Sequence, residues 1–243
     1  MCGLCGQDRH HTFAPTRRGL LLGASAAGLF FASGANAKDT KAPPKPENVI
    51  SPEASLKRLQ EGNARYVDGV SRRHDFKHER EALAGGQNPY AAVLSCADSR
   101  IAPEYAFDSG RGDLFVCRVA GNFANDETVA SLEYAVAVLN VPAILVLGHD
   151  ACGAIDATIK SLKDDKALPG HLPTLVAGLA PAVKAVANQP GNTLDNAIRQ
   201  NVIDTVAKLK AATPILSAAV DGNKLKVAGG IYRLKDGKVD MVA

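Results

Sequence analysis

Two short stretches carry residues whose types and spacing could do chemistry. Cys96-Ala97-Asp98-Ser99-Arg100 follows the apolar run Tyr90–Ser95, and His149-Asp150-Ala151-Cys152-Gly153 follows Ala143–Gly148. Each run reads as a strand, and each stretch presents soft metal donors just past its end. A parallel sheet would bring both strand ends to one edge. Cys96, His149 and Cys152 would then form a Cys2His zinc site with one coordination position left over, which is the catalytic rather than the closed structural kind. Taken singly, these residues say less. His149 alone could be a hydrogen-bonded histidine at a strand end, and Asp98 with Arg100 a plain loop ion pair. The trio could also be a structural zinc site with Asp98 permanently bound as its fourth ligand.

The charge of such a site makes a further demand. A zinc ion with two thiolates and a neutral imidazole is formally uncharged, so it acidifies a bound water less than a three-histidine site does. Another group has to help. Asp98 and Arg100 stand at alternate positions after Cys96, so in an extended or tight-loop backbone both face one cavity and can pair bidentately. Arg100 would hold Asp98 ionised and oriented, and Asp98 would accept a hydrogen bond from the attacking water. Freed from Arg100, Asp98 could instead take the fourth position and shut the site.

The elements that must position these groups alternate between helix and strand. Ser51-Pro52-Glu53 opens a helix that runs toward Gly69, with Ser as N-cap, Pro in the first turn and an acid at the positive end. Arg72-Arg73-His74 reads as a solvated loop, Ala91–Ser95 as a strand, Pro103-Glu104-Tyr105 as a brief helix and Asp113–Val119 as a second strand. Asp126–Asn140 is a strong amphipathic helix, and Ala143–Leu147 is continuously apolar, as a strand covered on both faces would be. Helices are predicted over Cys152–Leu162, Leu172–Asn188 and Leu194–Ala212. A strand over Leu225–Leu234 then turns at Asp236-Gly237 into Val239–Val242. The order implies one α/β domain over 51–243, with a mainly parallel sheet flanked by helices and an added C-terminal strand.

Composition narrows the function classes. With 46% hydrophobic residues in 243, the chain can bury a sizeable single core. A net charge of +3, with no basic stripe carrying interleaved aromatics, argues against a nucleic-acid partner. At the N-terminus, Arg17-Arg18 precede an apolar run from Leu20 to Ala32, and Ala35-Asn36-Ala37 has the small-x-small pattern of a signal-peptidase site. The pattern resembles a twin-arginine export signal over 1–37, followed by a flexible Pro-rich lead-in over 38–50. An ordinary secretory signal or an uncleaved anchor are the alternatives, although the run is short for a bilayer span. The expectation is a periplasmic or extracellular protein, close to neutral once cleaved and without a stable membrane span.

The five cysteines fit that picture. Cys2 and Cys5 would leave with the signal, and their CxxC with His10 and His11 lacks a second ligand pair at a finger-like distance. The remaining three, Cys96, Cys117 and Cys152, are an odd number and argue against a disulfide framework. Cys117 reads as a small buried thiol. His74, His78 and His171 are taken as surface histidines.

Taken together, Cys96–Asn122 (CADSRIAPEYAFDSGRGDLFVCRVAGN), Ser131–Val136 (SLEYAV) and Gly148–Ala154 (GHDACGA) resemble a β-class carbonic anhydrase. The resemblance runs from about the first mature helix to the C-terminal hairpin. It implies reversible, zinc-dependent hydration of carbon dioxide to bicarbonate and a proton, one Zn2+ per subunit, and a homodimer or dimer of dimers. It also implies that Gln87 donates to a substrate oxygen and that the Gly153 amide lines the site. Phe115, Ala120 and Tyr134 would form an apolar lining for carbon dioxide, partly across a dimer interface. Gln87 could equally be an exposed loop residue, and Phe115 and Tyr134 plain core. Two departures stand out: the chain has no Trp, and Arg233 follows Tyr232 where relatives often have Asp.

Three other functions compete. The same scaffold could hydrolyse carbonyl sulfide or carbon disulfide, since all three substrates are small linear heterocumulenes. An exported zinc-binding protein without catalysis is a second. A nucleotide-binding α/β domain ranks last, because the turn after Leu147 lacks both the glycine spacing and the phosphate-cradling lysine.

Overall fold

In the computed structural model, residues 50–243 are described. The expected export segment 1–37 and all but the last residue of the lead-in lie outside them. The sheet has five strands: β1 (Ala91–Ser95), β2 (Leu114–Arg118), β3 (Ala143–His149), β4 (Lys226–Tyr232) and β5 (Val239–Met241). Their order is β2-β1-β3-β4-β5. The first four are parallel, and β5 returns antiparallel to β4. This is the expected α/β architecture with its added C-terminal strand.

Burial explains the central strands. Every residue of β1 and β3 is buried, as parallel strands covered on both faces should be. On one face lie α1 (Pro52–Val67) and α3 (Pro103–Ala106), whose core includes Leu59, Phe107 and Leu145. On the other lie α4 (Asp126–Ala137), α5 (Gly153–Lys163), α6 (Leu172–Ala185) and α7 (Thr193–Ala211), around Leu94, Leu132, Ile155, Ile198 and Val202. The helix starts follow their caps. Ser51 accepts from the Ala54 amide, and Asn125 forms a reciprocal capping box with Thr128.

Among the details that differ from the sequence reading, three stand out. The fourth helix stops at Ala137 rather than running to Asn140, because Asn140 takes a positive φ of 55° and the Val141 amide turns back to the Ala135 carbonyl. Two short helices were not anticipated, α2 (Phe76–Leu83) and α8 (Ile215–Asp221). No residue of α2 is buried, and with 8 and 7 residues the two helices are too short for apolar spacing to stand out. Among the described residues, no helix is long and apolar enough to cross a membrane.

Candidate metal centre

The two ligand stretches meet because β1 and β3 are parallel neighbours, with Ser95 level with Leu147. Cys96 is the first residue beyond β1, and His149 is the last of β3. Cys152 is the N-cap of α5. All three therefore lie at the carboxyl edge of the sheet, where open α/β sheets place their ligands. The two sulfurs and the imidazole nitrogen lie within 4.8 Å of one another. Cys96, His149 and Cys152 are 4%, 0% and 1% exposed.

The imidazole is oriented for coordination. His149 Nδ1 lies 2.8 Å from the Asp150 carbonyl, which can only accept, so Nδ1–H is the donor. That tautomer leaves a lone pair on Nε2, and Nε2 is buried without a protein hydrogen-bond partner. An orphaned nitrogen beside two buried thiols is a donor set that suits Zn2+.

The neighbouring thiol, helped by a backbone amide, prepares Cys96 for negative charge. The Cys96 thiol is shifted downward. Hydrogen bonding from the Cys152 thiol draws its pKa down most, with His149 and the Gly121 amide adding to it and burial opposing. The Gly121 N–H stands 3.2 Å from Cys96 Sγ. Cys152 is pushed up by the adjacent Cys96 sulfur and by burial, while the first amides of α5 pull the other way. Two ionised sulfurs this close need a cation between them.

Asp98 and Arg100 form the bidentate pair that their spacing suggests. Arg100 Nε donates to Asp98 Oδ1 at 2.9 Å and Nη2 to Oδ2 at 2.7 Å, and the Arg100 amide adds a third bond to Oδ1 at 2.9 Å. The guanidinium holds the Asp98 carboxyl far below the usual carboxylate range. Asp98 Oδ2 stands 3.9 Å from His149 Nε2, at the rim of the triad. Arg100 Nη2 also reaches the Ala151 carbonyl at 3.3 Å, so one side chain ties the two ligand loops together. Ala151 takes a positive φ of 51°, an uncommon conformation for alanine.

The remaining candidates fall into two groups. Gly153 opens α5 beside Cys152, exposed, with open space where a Cβ would point. Ala120 is half-buried between Arg118 and Gly121. Phe115 and Tyr134 pack as a tilted ring pair with centroids 6.3 Å apart, and Tyr134 is 47% exposed. Gln87 lies elsewhere. It is exposed and lines a cleft of about 1030 Å³ with Asn88, Val138, Leu139 and Ile215, and no triad residue lines that cleft. Within one subunit, Gln87 and the triad are not brought together. Cys117 is half-buried on β2. His74 contacts Glu79 and stacks on Phe76.

Sequence reading missed Arg118, whose guanidinium touches the backbone of the first ligand loop. Its partners lie 22 and 20 residues away, so no local pattern could have revealed them.

Comparison with known proteins agrees with this geometry. The family model described as "Carbonic anhydrase" matches residues 91–239. "Carbonic anhydrase 2" of Mycobacterium tuberculosis is 40% identical over 189 residues, spanning 77% of this chain and 91% of the relative. The carbonic anhydrase of Mycolicibacterium smegmatis is 37% identical over 192 residues, 79% of this chain and 93% of its own. Among solved structures, the β-carbonic anhydrase CcaA superposes with a TM-score of 0.59 at 29% identity, covering 77% of this chain and 98% of that one. A tetrameric β-carbonic anhydrase of Sordaria macrospora gives a TM-score of 0.61 at 26% identity, covering 79% and 95%. The chain belongs to the carbonic anhydrase family, in its β class, whose function is the hydration of carbon dioxide.

Proposed function

We propose that Cys96, His149 and Cys152 hold one Zn2+ per subunit, and that Asp98 and Arg100 run the reversible hydration of carbon dioxide beside it. The observation that carries this reading is the orphaned His149 Nε2, buried among two thiols with the Asp98 carboxylate 3.9 Å away. Zinc supplies Lewis acidity that makes a nucleophile of water near neutral pH. The protein supplies orientation. Asp98, kept ionised by Arg100, accepts a hydrogen bond from the attacking water and leaves a lone pair aimed at the substrate carbon. Arg100 also restrains Asp98 from swinging onto the metal. The first amides of α5, at Gly153, suit the negative charge of bicarbonate.

Carbon dioxide is apolar, and Phe115, Ala120 and Tyr134 offer it an apolar lining. Gln87 reaches a substrate oxygen only from a second subunit, and its distance from the triad within one chain supports a homodimer as the working unit. A dimer of dimers is the larger form in keeping with the Sordaria macrospora relative, whose structure is titled tetrameric.

Stopped-flow hydration on purified protein with its zinc content measured tests the reading. One zinc per chain with hydration is expected, and His149→Ala is expected to lose both. Active protein without zinc would overturn it.

We infer further that residues 1–37 direct export by the twin-arginine route, leaving a periplasmic or extracellular enzyme. Arg17-Arg18 before a moderately apolar run, and the Ala35-Asn36-Ala37 site, support this. A route for folded cargo would let zinc occupy the thiolates before they meet an oxidising compartment. Arg17→Lys with Arg18→Lys is expected to retain precursor in the cytoplasm, as seen by fractionation. Unchanged export would exclude the route.

A further inference from the structure

We propose that Arg118 is a positioning residue of this centre, whose guanidinium clamps the backbone carbonyls on either side of Ala97 and so sets where the Cys96 sulfur and the Asp98 carboxylate stand. The proposal rests on the metal site described above. Arg118 is the last residue of edge strand β2 and pairs in register with Ser95, the last residue of β1. Beyond that point the sheet stops. The Val119 amide still reaches the Ser95 carbonyl at 3.1 Å, but the next carbonyls of the first loop have no strand beside them. Arg118 takes over. Its Nε donates to the Cys96 carbonyl at 3.0 Å and its Nη2 to the Asp98 carbonyl at 2.7 Å.

Two features separate this contact from ordinary surface pairing. Among the described residues no carboxylate pairs with Arg118, so its donors go to peptide oxygens of the functional loop rather than to a salt bridge. The two carbonyls are also two residues apart, a span that a planar fork bridges and a single ammonium does not. Asp98 is therefore gripped twice, at its carboxylate by Arg100 and at its carbonyl by Arg118. With both ends held, the carboxylate stays off the metal position. With the carbonyl released, the loop carrying both Cys96 and Asp98 can tilt. Loss of a partner that orients metal ligands typically costs about 10–100-fold in affinity or activity.

The test uses full-length, zinc-loaded protein with Arg118→Ala, Arg118→Lys and Arg118→Gln. Four quantities are read: zinc per chain, the rate of zinc release to a coloured chelator, kcat and KM for carbon dioxide hydration, and rescue by methylguanidinium. The expected result in all three variants is a fall in kcat of about 10–100-fold with KM nearly unchanged, and zinc release faster by about tenfold. Arg118 is solvent-exposed, so methylguanidinium can enter, and it should restore part of kcat in Arg118→Ala but not in Arg118→Lys. Should Arg118→Ala fail to fold, Arg118→Lys and Arg118→Gln decide the matter. Wild-type kcat and zinc release in Arg118→Lys would show that charge alone suffices and would overturn the clamp. Wild-type protein that lacks zinc or hydration overturns the metal-site reading itself, whereas active wild type with unaffected variants overturns only the clamp.

Discussion

At the scale of single residues, the proposed mechanism depends on a carboxylate kept both charged and still. Arg100 does this through a two-pronged contact, so Arg100→Ala should lower hydration by about 10–100-fold at every pH. Arg100→Lys should recover little, since one ammonium cannot match both carboxylate oxygens. Stopped-flow profiles of the two variants check this, and a fully active Arg100→Ala enzyme would remove Arg100 from the mechanism. The charge state gives a second prediction. Asp98 is shifted downward, chiefly by its Arg100 contact, so its pairing contributes to the native state above the ordinary aspartate value of about 3.9 and is lost only as pH falls through the lowered value. Carbon-13 titration of a labelled Asp98 should show no protonation from about pH 5 upward, set against that ordinary value. A midpoint inside the working range would contradict the pairing.

At the scale of elements, α7 can approach the sheet only where two glycines make room. A Cβ on Gly148 would stand 2.7 Å from Val202 Cγ2, and one on Gly229 would stand 2.5 Å from Val202 Cγ1. Gly148 immediately precedes the candidate ligand His149, so the helix–sheet distance and the imidazole position are set together. Gly148→Ala should cost about 1–3 kcal/mol by overpacking and should also speed zinc loss by displacing His149. Asn125→Ala is the control. Loss of its capping box should cost about 1 kcal/mol in α4 while zinc release stays as in wild type. Urea unfolding and chelator challenge on both variants separate the effects. Equal zinc release in the two would deny the link between α7 packing and the metal.

At the scale of the whole molecule, Gln87 and the exposed part of Tyr134 have no evident task inside one subunit. Tyr134 is 47% exposed, and Gln87 faces a cleft away from the triad. A second subunit would explain both placements. Tyr134→Asp should therefore yield monomers by sedimentation, with zinc content kept and hydration strongly reduced. A fully active monomer would show that each subunit is complete. Metal removal acts on the same scale, because an ion bound only by the folded chain stabilises it by mass action. Chelated protein should melt at lower temperature than the zinc-loaded form.

What the sequence determined by itself is what rests on near neighbours. Cys96-x-Asp-x-Arg100 and His149-x-x-Cys152 were legible because ligand chemistry depends on residue type and short spacing. The strands before them were legible because burial on both faces leaves an unbroken apolar run. The α4 start was written in Asn125 and the acids that follow it. Tertiary structure alone decided what depends on distant partners. Arg118 has a long side chain with many possible reaches, and only the edge position of β2 directs it to Cys96 and Asp98. The short helix α2 has only 8 residues and none buried, too short a stretch for its apolar spacing to stand out in the sequence. The separation of Gln87 from the triad follows from β1, which runs between them and leaves Gln87 at the end of the strand opposite Cys96. A donor's identity is a local property of the chain, whereas its aim belongs to the packed molecule.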